Sequence, residues 1–167
     1  MTEAENIIKK LQLQPHPEGG YFKEVYRSTG FISEENLNSD FSGDRNYCTS
    51  IYFLLTSENF SAFHKIKQDE IWHFYEGSPL YVHVIDENGK YHRYELGSDY
   101  EKGQVRQLVV PANLWFGSSV KEKNAHSFVG CTVAPGFDFE DFEMAKRDDL
   151  IHEFPHLEKE INQLTRV

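Results

Sequence analysis

The chain has 167 residues, 17 of them basic and 27 acidic, for a formal net charge of −10. That length suits one domain with a sizeable core, and the acidity argues against nucleic acid as a partner, because phosphate binding needs a basic footprint. Met1-Thr2-Glu3-Ala4-Glu5 is acidic and lacks an apolar leader, and no run nears the ~18 apolar residues of a membrane span, so a cytoplasmic protein is expected.

Thr2 followed by Glu5 reads as a capping box, and Ile7, Ile8 and Leu11 follow at helical spacing, predicting a helix over 3–12. Pro15-His16-Pro17-Glu18-Gly19-Gly20 reads as a connector. Strands are predicted over 21–28, 47–56, 61–66, 70–75, 80–86, 90–96, 105–110 and 127–134, with a polar loop over 31–45. Asp86-Glu87-Asn88-Gly89 carries the Asn-Gly signal of a hairpin. Cys48 and Cys131 fall in strands and are too few for a disulfide framework, so reduced thiols are expected. The segment 140–166 reads as a partly helical tail, with Pro155 at a helix start and Leu157, Ile161 and Leu164 on one stripe. Many short strands and little helix, with aromatics at 14%, point to an antiparallel sandwich or barrel over about 20–137.

Two motifs narrow the reading. His64, Glu70 and Gly77 form a His–Glu–Gly frame, and Gly103 is followed by a strand and by Pro111-Ala112-Asn113. The frame resembles the two motifs of the cupin superfamily, which implies an all-β, double-stranded jelly-roll barrel with short terminal helices, one domain over 1–167. In metal-binding cupins two His and a Glu of the first motif and a His of the second hold an ion. Here Ile66 and Phe116 stand at two of those positions. His64 and Glu70 alone would make only a weak, water-completed site, so no metal or other cofactor is expected. The stretches 13–22, 69–75 and 129–139 further resemble a small cupin branch labelled predicted sugar epimerases.

Strand alternation places Glu70, Trp72 and Phe74 on one face, and the motif spacing turns His64 and Ile66 inward with them. With Trp115 or Phe116 from the second motif, the expected pocket is apolar and aromatic, with two titratable groups. Such a pocket suits an organic ligand, and its rings can stack on the apolar face of a sugar or base. His64 is either a general base tuned by Glu70 or an interior His satisfied by it. Tyr52 and Trp115 are either core or ligand platform. Arg27 is either a solvated edge charge or a clamp for carboxylate or phosphate. Asp138 reads as a turn or cap residue, and Asp141 likewise. His16, His126, His152 and His156 read as surface or connector residues.

Three functions are compatible with these residues. The first is a metal-independent carbohydrate epimerase or isomerase. By resemblance, His64 is its base and a carbohydrate or nucleotide-sugar its substrate; Asp138 is a candidate orienter from its place after the barrel strands, and no Tyr matches the acid, although Tyr52 and Tyr75 lie on plausible strands. The second is a non-catalytic ligand-binding cupin, and the third a metal-dependent oxygenase. A homodimer is expected from the fold, since such barrels protect edge strands by pairing with a second chain.

Overall fold

The computed structural model describes residues 1–167. Helix α1 (Glu3–Leu11) opens the chain. The Thr2 hydroxyl caps the Glu5 amide while the Glu5 carboxylate accepts from the Thr2 amide, as the capping box requires. Thirteen strands follow: β1 (Gln14–Pro15), β2 (Tyr21–Arg27), β3 (Phe31–Ile32), β4 (Arg45–Asn46), β5 (Thr49–Thr56), β6 (Phe60–Lys65), β7 (Asp69–Gly77), β8 (Leu80–Ile85), β9 (Tyr91–Leu96), β10 (Gln107–Val110), β11 (Trp115–Val120), β12 (His126–Ala134) and β13 (Glu143–Met144). Helices α2 (Arg147–Glu153) and α3 (Glu158–Gln163) close the chain. No helix is long and apolar enough to cross a membrane.

Two antiparallel sheets form the body. One has the order β1-β2-β5-β12-β7-β10 and the other β13-β6-β11-β8-β9. Their facing sides enclose a core of Phe53, Leu55, Trp72, Phe74, Val82, Phe116 and Val129. Strand β7 shows why: Glu70, Trp72 and Phe74 are buried, while Ile71 and His73 between them are only half-buried. A second apolar layer covers the outer side of β6, where Phe63 and Ile85 pack on Leu150, Leu157, Ile161 and Leu164 of the C-terminal segment. The stripe read from Leu157, Ile161 and Leu164 therefore has its partner. Helix α1 covers Leu54 and Phe128 on the other sheet.

Local turn chemistry behaves as its residue types demand. The β8–β9 hairpin turns through Gly89 at φ 74, with the Gly89 amide bonded to the Asp86 carbonyl. Asn113 takes φ 63, the left-handed conformation that its place in the second motif requires. Strand β11 departs from the expectation, which ran no strand through 115–120. It is a central strand between β6 and β8 despite its Gly117-Ser118-Ser119 run. Gly117 is dictated by packing, because a Cβ there would lie 2.7 Å from the Ser61 carbonyl oxygen. The region 31–45 also departs from a plain loop, since β3 and β4 pair within it.

Candidate active site

A cavity of about 290 Å3 opens at the end of the barrel where β7 begins. His64 and Ile66 from the end of β6 and Glu70 from β7 face it, as the frame predicts. Cys131 and Val133 of β12 and Thr49, Ile51 and Phe53 of β5 form one wall, and Phe22 of β2 adjoins them. The segment after β12 crosses the opening and contributes Phe137, Phe139 and Phe142. That segment is pinned by a buried ion pair. Arg45 Nε and Nη2 each donate to Asp141 at 2.8 Å, and Gln68 Nε2 donates to the same carboxylate at 2.7 Å. Asp141 is thus a structural anchor rather than the turn residue expected.

The chemically decisive partner comes from the connector. Gly19 and Gly20 take φ 115 and 75, which lets the chain double back beneath β6. There the Ala62 amide donates to the Glu18 carbonyl at 2.8 Å. Arg166 Nη1 donates to that same carbonyl at 2.7 Å, while its Nη2 bonds the Phe60 carbonyl and Asn59. So held, the Glu18 carboxylate lies 2.9 Å from His64 Nε2. His64 Nδ1 donates to the Ala62 carbonyl at 2.7 Å, so both ring nitrogens are engaged. Burial opposes charge on this imidazole, but Glu18 and the Ala62 carbonyl outweigh it and hold its pKa above the ordinary value. Burial likewise works against the Glu18 carboxylate, and His64 pulls its pKa down regardless. Both directions favour an imidazolium–carboxylate couple.

Glu70 behaves in the opposite way. It is 8% exposed, and burial pushes its pKa up to about 7 against the pull of His64. Glu18 adds to the rise, and the Cys131 thiol is its hydrogen-bonding neighbour. That same burial, with Glu70 beside it, raises the Cys131 thiol well above its usual range. His16 stands at the centre of the aromatic wall, its ring 4.6 Å from that of Phe22. Its Nδ1 accepts from the Glu18 amide, and burial keeps it neutral by lowering its pKa.

Several expected site residues lie elsewhere. Trp72 and Phe74 point inward but are sealed in the core, Trp72 at 1% exposure against Phe53 and Phe116, so neither lines the cavity. Phe116 stands behind the site, its ring 4.1 Å from that of His64. Trp115 is on the outer face of β11 beneath the Lys65 ammonium, because alternation turns it away from Phe116. Tyr52 packs on Tyr75 and Phe128 on the outer side of β5, out of reach as an acid. Asp138 lines the cavity but accepts from the Glu140 amide, and the orienting role falls to Glu18. Arg27 reaches the cavity edge already committed, with Nε and Nη2 on Glu24, Nη1 on Asn46, and Nη2 also on the Phe137 carbonyl. His16 and Glu18 went unrecognised as site residues. The signals in the sequence were the resemblance carried by 13–22 and the Gly-Gly pair, which marks a backbone reversal but not its destination.

The residues do not fit a metal ion. No group of three or more His, Cys, Asp or Glu side chains converges to ligate one. Ile66 and Phe116, beside His64, offer no donor atom, and the Nε2 of His64 is committed to Glu18.

The two packed antiparallel sheets and a cavity at one end of the barrel define a jelly-roll protein. The family described as Cupin superfamily (DUF985) matches residues 5–145, and the chain belongs to it. The uncharacterized protein YML079W of Saccharomyces cerevisiae is 35% identical over 165 residues, covering 93% of this chain and 80% of that one. A hypothetical protein from Leishmania major has a structure similar to this one, with a TM-score of 0.89 at 39% identity over 99% of this chain and 100% of its own. Oxalate decarboxylase from Bacillus subtilis matches 36% of its length to 90% of this chain, with a TM-score of 0.56 at 15% identity, a likeness of fold alone.

Proposed function

We propose that this cupin binds a small organic molecule and moves a proton on it, as a metal-independent isomerase or epimerase of monosaccharide-sized substrates. One observation carries the reading: two carboxyl groups share an apolar cavity and their pKa values are driven apart, Glu18 down and Glu70 up to about 7. Such divergence is how one site assigns proton-transfer roles. A group poised near neutral pH transfers protons most effectively, so Glu70 is the acceptor. His64 was the expected base, but its engaged nitrogens suit it to a fixed cationic role instead. In the proposed step a C–H bond α to a carbonyl breaks and the proton passes to a Glu70 oxygen. The electron pair moves to the carbonyl oxygen in the field of the His64 imidazolium; protonation on the opposite face of the same carbon gives the epimer, and protonation of the former carbonyl carbon, with a proton passing between the two oxygens, gives the isomer.

The test is proton exchange in deuterated water with a panel of aldoses and ketoses, followed by NMR. Deuterium enters the α carbon of at least one sugar with the native protein and not with Glu70→Gln. Equal exchange in the variant, or none with any sugar, overturns the proposal. The closed hydrogen-bonding of His64 favours one second reading, a binding protein without turnover. Native mass spectrometry of the purified protein would then reveal a retained ligand that is chemically unchanged after incubation.

A further inference from the structure

We propose that the cavity recognises a small organic cation, an amine-bearing molecule such as an amino sugar, seated among the aromatic rings with Glu70 as its counter-ion. The inference concerns the same cavity as the proposed proton transfer but rests on no turnover.

Three observations support it. First, no cation facing the cavity is free for an anion. Arg27 spends its fork on Glu24, Asn46 and the Phe137 carbonyl, and His64 spends both nitrogens on Glu18 and the Ala62 carbonyl. A phosphate or carboxylate entering would meet Glu70 and Asp138 with no bidentate donor to receive it. Second, Glu70 is more than nine-tenths buried and faces the cavity, and its hydrogen-bonding neighbour is a thiol, a weak donor. Its charged neighbour, His64, spends its Nε2 on Glu18, so no strong hydrogen-bond donor reaches this buried carboxyl. Third, the rings of Phe137, Phe139 and Phe142 lie 4.9 to 6.3 Å apart around the opening, with His16 beside them. Aromatic faces attract organic cations, worth about 0.5–2 kcal/mol as the site becomes desolvated. A cation also offsets the burial that otherwise favours the neutral form of Glu70. The volume, about 290 Å3, sits at the foot of the ~300–1,000 Å3 range of ligand pockets. It matches a single ring more closely than a nucleotide-sugar, which would in addition bring phosphates. The net charge of −10 draws cations toward the protein at long range.

Benzylammonium, benzyl alcohol and benzoate offer nearly one shape with three charges. Titrated into the full-length protein and followed by backbone amide NMR, benzylammonium should perturb Glu18, Glu70 and Phe139 and bind roughly tenfold tighter than benzoate. Glu70→Gln should abolish that preference while leaving the rest of the spectrum in place. Benzoate binding as tightly as benzylammonium, or no perturbation by benzylammonium at millimolar concentration, overturns the proposal. Charge preference without deuterium exchange sinks only the proton-transfer reading, and exchange without charge preference sinks only this one.

Discussion

At the scale of single residues, the site is an electrostatic balance around two buried carboxyls. Glu70 has a folded-state pKa of about 7 against an ordinary 4.5. A carboxyl raised in this way contributes its stability fully below its unfolded pKa and loses it as pH climbs through the folded value. The native protein should therefore lose stability relative to Glu70→Gln between pH 5 and pH 8, by up to about 3 kcal/mol. Urea denaturation of both proteins across that range measures the difference, and parallel curves would show that Glu70 is not the titrating group. The His64–Glu18 pair behaves differently. Removing one member strands a buried charge, so His64→Gln should cost about 3–5 kcal/mol, and adding Glu18→Gln should recover much of it. Thermal melts of the two single variants and the double variant test this, with strict additivity as the refuting result. His64, Ile66 and Glu70 could be placed from sequence because strand alternation and motif spacing are local rules. Glu18 could not, because its approach to His64 spans 46 residues of chain and depends on where a glycine reversal lands.

At the scale of elements, the connector 16–20, strand β6 and the C-terminal segment form one clasp. The Ala62 amide bonds the Glu18 carbonyl, the Phe63 amide bonds the Leu164 carbonyl, and Arg166 ties Glu18 to Phe60 while its guanidinium lies 4.2 Å over the Phe60 ring. Arg166→Ala should cost about 1–3 kcal/mol and speed hydrogen exchange at the amides of the connector. Lysine should restore little, because the two carbonyls need a planar fork. Unchanged exchange in the connector would remove Arg166 as its anchor. The elements written in short-range signals were legible: the Thr2–Glu5 capping box, the Asn-Gly hairpin, and the alternating run of β7. Strand β11 was not, because Gly117, Ser118 and Ser119 carry little strand preference and are held there by neighbours on both sides. The pairing of β3 with β4 was hidden for the same reason, since each strand is two residues long.

At the scale of the molecule, the outer half of β2 is an open edge. Strand β1 pairs only with Tyr21 and Phe22, leaving Lys23 to Arg27 without a neighbour on that side. Val25, Tyr26, Phe31 and Tyr47 are exposed in the same region of the chain. A second chain pairing with this edge would close it, although Lys23, Glu24, Arg27 and the bulge at Val25 also guard it, and a homodimer is the prediction. Light scattering at micromolar concentration checks it, and a monomer mass counts against it. The clasp has a further consequence, for the time course of folding. Glu18 and Arg166 are 148 residues apart in sequence. During synthesis at ~5–20 residues per second the barrel strands emerge, and can begin to pair, before the arginine that tightens the connector exists. The entropy of closing a span grows only slowly with its length, but contacts this distant in sequence form late. The connector that carries Glu18 is thus predicted to tighten only after the barrel strands have paired, so a nascent chain holds every residue of the cavity before the cavity is set.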